Sequence, residues 1–288
     1  MTMSHEELVV VSGASTGMGA ATARELARRG YHVLAGVRNE QAAGLIRGEG
    51  IEPVMLDITN PEHVAALAKR VHEDARPLRA LINNAGMAAN APVETLPLPV
   101  WRTMFEVNLF GHIAMIQALL PELRASRGRI VNISSTGGRI VVPAFGAYSA
   151  TKFAVEAMSD ALRREVARQG VSVVVVQPGA VRTEMGATGT RTANDLLDST
   201  STESRGRYTD VMKAFFAQAT EFGRSGMPAE RAGKVIADVA TTKRPRTRYT
   251  IGRDGATFTL LSRLLSDGML DHALAANERR LLAHAAPE

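Results

Sequence analysis

Apolar and polar positions along the chain follow two alternating rhythms. Short apolar runs closed by turn residues occur at Leu8 to Ser12, Tyr31 to Val37, Ile51 to Leu56, Ala80 to Ile82, Arg129 to Ile133, Val171 to Val176 and Tyr249 to Ile251. Runs that stay apolar at successive positions predict strands buried on both faces of a sheet. Between them lie stretches with apolar residues three and four apart: Ala20 to Arg29, Val64–Leu67–Ala68–Val71, and Met104–Val107–Leu109 onward through Ile116–Leu119–Leu120. That spacing predicts helices with one apolar face. Strands alternating with helices predict an α/β architecture: a doubly wound parallel sheet of about seven strands, with right-handed crossovers and helices on both faces.

No linker-like composition interrupts this pattern, so residues 1–288 read as one domain. Met185 to Arg207 is different in kind, rich in Thr, Ser, Gly and Arg. It reads as a long surface loop, and the region 185–225 as a substrate loop or lid. A C-terminal extension over 253–288 contains Phe258 to Leu265, whose apolar pairs four apart predict an amphipathic helix. That helix could cover a substrate cleft, join a subunit interface or touch a membrane surface.

The first apolar run leads directly into Ser12-Gly13-Ala14-Ser15-Thr16-Gly17-Met18-Gly19 and then into a helix. Glycine lets the backbone turn tightly and approach a pyrophosphate closely. The helix that follows points free N–H groups and its positive dipole end at the anion. The second strand ends at Gly36-Val37, where an acidic residue would bond the ribose 2′-hydroxyl of NAD; Arg38 follows at once. Guanidinium pairs with phosphate in two-point contacts, so Arg38 points to the 2′-phosphate of NADP, and NADP(H) is expected over NAD(H).

Tyr148 and Lys152 stand four apart in Tyr148-Ser149-Ala150-Thr151-Lys152, which stacks them on one helix face. A free phenol titrates near pH 10, too high for a proton carrier at neutral pH, and a nearby ammonium lowers that value. Ser135 lies thirteen residues earlier, just past the strand Arg129 to Ile133. Carboxyl ends of strands are where open α/β sheets bind ligands, and a hydroxyl there can hold a substrate oxygen.

Taken together these motifs resemble the short-chain dehydrogenase/reductase family, in its compact single-domain type, from about residue 6 to 185. The resemblance implies a Rossmann-like fold. The family's glycine motif TGxxxGxG falls on Ser12 to Gly19 with serine in the threonine place, which implies Gly13, Ser15, Thr16, Gly17, Met18 and Gly19 at the cofactor. Asp57, with Ile58 beside it, matches the adenine-contacting position, and Asn83-Asn84-Ala85-Gly86 matches the family's Asn-Asn-Ala-Gly. Pro178-Gly179, followed by Val181 and by Thr183, matches the segment whose threonine bonds the nicotinamide carboxamide. Asn108, Ser135, Tyr148 and Lys152 match the catalytic set. By resemblance, Tyr148 carries the proton, Ser135 holds the reacting oxygen, Lys152 lowers the tyrosine pKa and bonds the nicotinamide ribose, and Asn108 supports a water linking Lys152 to solvent. Homodimers and homotetramers formed through two long helices, here 98–123 and 148–169, are common in the family. Two other readings stay open: an epimerase or dehydratase of the extended type, which has different glycine spacings, and a cofactor-sensing regulator, which usually lacks the tyrosine or lysine.

Composition narrows the chemistry further. Hydrophobic residues make up 45% of the chain, enough for a sizeable core, and the absence of cysteine excludes disulfides, thiolate metal sites and a cysteine nucleophile. The net charge is +5, but the arginines are scattered, so nucleic acid is not the expected partner and part of the excess could serve an anionic cofactor. The seven histidines show no ligand spacing, and no metal is expected. No secretory signal and no run near 18 uninterrupted apolar residues is seen, so no transmembrane segment and a cytoplasmic location are expected. Walls for a substrate pocket come from Met87 to Ala91, Gly137 to Phe145 and Ala180 to Thr190. The apolar run Ile140 to Phe145, with Met185 and Phe215-Phe216, suggests a hydrophobic carbonyl or alcohol as the small-molecule substrate. Arg244 to Arg248 reads as a solvated approach to the last strand.

Overall fold

The computed structural model describes residues 6–252, 255, 257, 260 and 264–285. In chain order the strands are β1 (Leu8–Val11), β2 (His32–Val37), β3 (Ile51–Met55), β4 (Leu78–Asn83), β5 (Arg129–Ile133), β6 (Ser172–Pro178), β7 (Val181–Arg182), β8 (Met227–Pro228) and β9 (Arg248–Ile251). Seven of them form one parallel sheet in the order β3-β2-β1-β4-β5-β6-β9, while β7 and β8 pair separately. The helices are α1 (Gly17–Arg28), α2 (Glu40–Ile46), α3 (Pro61–His72), α4 (Leu98–Phe105), α5 (Gly111–Ala125), α6 (Gly146–Glu165), α7 (Glu184–Ser199), α8 (Thr202–Arg207), α9 (Thr209–Ser225), α10 (Ala229–Thr241) and α11 (Asp267–Ala285). All seven apolar runs lie in this sheet.

Alternation along each strand divides the core into two layers. Val9, Val11, Val33, Ala35, Ile82 and Val174 face α1 and α10, meeting Ala23, Leu26, Ile236 and Ala240. Leu8, Val10, Leu34, Leu81 and Ile130 face the other way, onto Val64 and Leu67 of α3 and Met115 and Leu119 of α5. Each such side chain, fully buried, stabilises the fold by about 1.5–3 kcal/mol before conformational entropy is counted. The stretch Leu98–Ala125 is long and apolar enough to cross a membrane by length and composition, with a mean hydropathy of 1.3. Its Met104, Met115, Leu119 and Leu123 are fully buried in the core, the position of a central helix of a folded domain.

The strand order reverses between β1 and β4, and the carboxyl ends there open a crevice for ligand. Three arginines work at the opposite edge. Arg129, at the start of β5, donates to the carbonyls of Val239 and of Thr242, the latter at 2.7 Å. Arg79 on β4 donates to the Thr241 carbonyl at 3.1 Å, and Arg29 reaches the Thr241 hydroxyl at 3.4 Å. Cations at a helix C-terminus satisfy its orphan carbonyls and oppose its dipole, so part of the positive excess is used to cap α10. Burial pushes Arg129 down to about 10, which leaves it charged at neutral pH.

Two expectations are corrected. The segment read as a loop over 185–207 consists of two helices, α7 and α8, joined at Thr200 and Ser201. Gly189, Ala193, Leu196 and Leu197 form a stripe at helical spacing that packs on Met212 and Phe215 of α9 and on Ala89 and Ala91; tertiary burial overrides the weak intrinsic propensity of the Thr- and Gly-rich sequence. Arg248 is not solvated: it pairs with Glu156 and Asp160 at 2.9 Å each. The predicted helix over 258–265 lies largely outside the described residues; within it Leu260 and Leu264 are exposed. Beyond it, α11 packs on α9 and joins it through Arg280–Glu221 at 3.0 Å.

Replacing Arg129 with leucine leaves two helix-end carbonyls unpaired, and the free energy of unfolding measured by urea titration is expected to fall by about 2 kcal/mol. An unchanged midpoint would mean that the arginine does not hold the end of α10.

Candidate active site

The turn after β1 is shaped by two close approaches. Gly13 has φ +64°, and a Cβ there would sit 2.7 Å from the Ala85 backbone. A Cβ on Gly19 would sit 2.2 Å from the Gly13 carbonyl oxygen. No side chain larger than hydrogen fits either place without moving backbone. Ser12 and Asn84 then bind the turns after β1 and β4 together. The Ser12 hydroxyl accepts from the N–H groups of Asn84 and Ala85 at 3.0 Å each, and the Asn84 amide donates to the Ser12 and Gly13 carbonyls at 3.0 Å each. His112, fully buried, donates from Nε2 to the Ala85 carbonyl at 2.7 Å, and desolvation holds it neutral with its pKa pushed down to about 3.

The donor set at this turn fits a dinucleotide phosphate. Thr16 caps α1 in an extended conformation without a side-chain bond, and the first turn of α1 contains no acidic residue. The N–H groups of Gly17, Met18 and Gly19 therefore keep their directional pull for an anion. Ser15 is half-buried and Thr16 exposed on the rim of the turn. Gly17 stands against Thr183, within 3.2 Å of its methyl for an added Cβ, so the phosphate turn adjoins the Pro178–Thr183 segment. At the far end, Arg38 is exposed just beyond β2. Asp57 accepts from the Thr59 hydroxyl at 2.7 Å and from its N–H at 2.9 Å; these bonds, and the Arg38 charge, hold its carboxyl below the usual range. Ile58 is buried and packs against Gly111.

The catalytic candidates come from β5 and α6. Ser135 follows β5, and its Oγ accepts from the Gly137 N–H at 3.0 Å. Tyr148 and Lys152 sit on the first turns of α6, with Lys152 Nζ 5.7 Å from the centre of the phenol ring. Nζ donates to the Ile133 carbonyl at 2.9 Å. Burial raises the Tyr148 pKa, and the Ser135 hydroxyl facing the phenol draws it back. Burial also pushes Lys152 down to about 8, opposed by the Glu156 carboxylate one turn along the helix. Desolvation thus outweighs lysine's expected effect on the phenol when the protein groups act alone.

Asn108 ties two segments of the site together. It lies in a π-helical turn, Glu106–Phe110, where its amide nitrogen donates to the Met87 carbonyl at 2.9 Å and to the Thr151 hydroxyl at 3.1 Å. Its Oδ1 accepts from the Met87 N–H at 2.8 Å. Both amide protons are spent, so the side chain clamps the segment after Gly86 to α6. Glu156 is a residue the sequence pattern did not single out. Fully enclosed, it accepts from Gln177 at 2.8 Å and from Arg139 and Arg248 at 2.9 Å each. A glutamate on a buried helix face four residues after the lysine was the available signal.

Above Tyr148 and Ser135 opens a cavity of about 400 Å³. Met18, Pro178, Gly179, Val181 and Thr183 line it on the phosphate-turn side, and Ile140, Phe145, Met185, Phe215 and Phe222 on the other. The β7–β8 ribbon pairs Val181 with Met227, so it ties together the two ends of the α7–α9 insertion that covers this cavity. Lys152 and Asn108 lie beneath the floor, buried. Arg38 and Asp57 stand apart, by the carboxyl ends of β2 and β3.

The family model described as short chain dehydrogenase matches residues 7–194. A 3-amino-tetrahydro-pyrrolizinone reductase of Xenorhabdus hominickii is 35% identical, covering 91% of this chain and 93% of the relative. An NADPH-dependent 3-dehydrocapnine reductase of Ornithobacterium rhinotracheale is 29% identical over 94% of this chain and 97% of its own length. Retinol dehydrogenase 7 of Mus musculus is 34% identical over 92% and 88%. Among solved structures, a short chain dehydrogenase from Burkholderia cenocepacia J2315 in complex with NADP superposes with a TM-score of 0.72 at 27% identity, covering 94% of this chain and 98% of that one. Sequence motifs, sheet order and these matches agree, and the chain belongs to the short-chain dehydrogenase/reductase family of nicotinamide-dependent oxidoreductases.

Proposed function

We propose that the protein uses NADP(H) to interconvert a carbonyl and a primary or secondary alcohol on a hydrophobic substrate. The observation that carries this reading is the convergence of Tyr148 and Ser135, with buried Lys152 below, on the floor of one largely apolar cavity. When bound, the nicotinamide supplies or accepts hydride at the substrate carbon. Tyr148 gives its phenolic proton to the carbonyl oxygen in reduction and takes the alcohol proton in oxidation. A phenol whose pKa is raised by burial keeps its proton until charge grows on that oxygen. Ser135 holds the same oxygen by hydrogen bonding. The Lys152 cation opposes the charge left on the phenolate. Asn108 positions the floor by joining Met87 to Thr151 on α6. The exposed guanidinium of Arg38 supports NADP over NAD, as do the NADPH-dependent relative and the neighbour in complex with NADP. The exposed Phe110 and Phe153 on the α5–α6 side support a homo-oligomer.

Three outcomes are expected. Tyr148→Phe lowers kcat for ketone reduction by about 10²–10⁴-fold while NADPH affinity by fluorescence titration stays within roughly threefold; near-normal turnover would remove the phenol from its role. Lys152 is depressed to about 8, so it is charged below that pH and neutral above it. Reduction kcat/KM therefore declines as pH rises through about 8, and Glu156→Gln, which deletes the anion favouring the charged lysine, moves that decline to lower pH. A decline at the same pH in the variant would disconnect Glu156 from the lysine. Arg38→Asp weakens NADPH binding by about 10–100-fold and spares NADH, the scale of a lost charged hydrogen bond; equal NADPH affinity in both proteins would contradict the assignment.

A further inference from the structure

Two amides stand in the cavity wall without a side-chain hydrogen bond to another described residue. Asn90, on the segment after Gly86, is 5% exposed, and its Oδ1 is buried without a hydrogen-bond partner. Its amide nitrogen faces Gly189 of α7, where an added Cβ would stand 3.3 Å away. Gln218 on α9 is 8% exposed. Both residues line the same 400 Å³ cavity as Tyr148 and Ser135, and no side-chain hydrogen bond joins either to another described residue. Burying an amide without a partner is unfavourable, and buried polar groups in folded proteins are nearly always satisfied. The surrounding wall, from Ile140, Phe145, Phe215 and Phe222, would suit leucine at either place.

We infer that Asn90 and Gln218 are specificity-determining residues that bind a second polar group of the substrate, a neutral O–H or N–H donor remote from the reacting carbonyl. This rests on the carbonyl–alcohol reading above and names the substrate class within it. Asn90 lines the cavity while its Oδ1 lies closed off behind the surface, so a substrate donor meets that oxygen once the amide turns about its Cβ–Cγ bond toward the cavity. Among the described residues no aspartate or glutamate lines the cavity to balance an ammonium group. The substrate is accordingly bifunctional: a carbonyl over Tyr148, an apolar body among the phenylalanines, and a hydroxyl or amide N–H held by the two amides. A plain hydrocarbon ketone fits the walls but leaves the amides unpaired, and a site built to bond a hydroxyl discriminates against the analogue lacking it.

The test compares kcat/KM with NADPH for a para-hydroxyphenyl alkyl ketone and the phenyl ketone of the same skeleton, in the wild type, Asn90→Leu and Gln218→Leu. Affinity of the corresponding alcohols for the enzyme–NADP complex, measured by calorimetry, gives the same ratio independently of turnover. The wild type is expected to favour the hydroxylated member by at least about tenfold, and the ratio to fall toward one in Asn90→Leu. NADPH binding checks that each variant is folded, and Asn90→Ser gives a smaller polar substitute should the leucine variant fail that check. Equal handling of both compounds by the wild type overturns the inference and leaves the oxidoreductase reading intact. A wild-type preference that survives in every variant also overturns it. Failure to reduce or bind either compound, with NADPH bound tightly, contradicts the oxidoreductase reading itself.

Discussion

An ammonium group buried beneath the substrate cavity is the constraint around which the site is arranged. Desolvation drives Lys152 toward its neutral form, and only specific neighbours keep it charged near neutral pH. The Ile133 carbonyl accepts a hydrogen bond from it, and the Glu156 carboxylate supplies opposing charge one helical turn away. Glu156 is in turn held by Gln177 of β6, by Arg248 of β9 and by Arg139. The electrostatics of the floor thus extend from α6 through two strands to the edge of the sheet. Burial is the larger influence on Lys152, so the Glu156 carboxylate opposes a further fall in its pKa.

The same logic explains why so many backbone groups around the site are tied down. Ser12 and Asn84 sew the β1 and β4 turns together, His112 holds Ala85, and Asn108 holds Met87 to α6. Four polar side chains thereby fix the crevice at the point where the strand order reverses. The α7–α9 insertion covers the cavity and is joined to this rigid frame at its base by the β7–β8 ribbon.

Much of this was legible in the sequence because local signals and the fold agree. The apolar runs at Leu8, Tyr31, Ile51, Ala80, Arg129, Val171 and Tyr249 all became neighbouring strands, since strands buried on both faces leave few other readings. The glycine turn and the Tyr148–Lys152 spacing were legible for the same reason: each is set by contacts within a few residues. What depends on distant parts of the chain was not. The helices over 184–207 form because Ala193 and Leu197 reach α9, not because threonine and glycine favour helix. Arg29, Arg79 and Arg129 look scattered along the chain and meet only at the end of α10. Glu156, Asn90 and Gln218 carry no motif, and their meaning comes from what surrounds them or fails to.

A lysine enclosed beneath the Tyr148 phenol, its pKa depressed by burial, is open to direct titration. The chain has only five lysines, and Lys69, Lys213, Lys234 and Lys243 are all exposed while Lys152 is buried. NMR of protein labelled with ¹³C at the lysine ε-carbon resolves the Lys152 signal, assigned by its absence in Lys152→Met. This signal is expected to titrate at about 8, apart from the other four. Titration of Lys152 at about 10.4, the ordinary value for a solvated lysine, would contradict it.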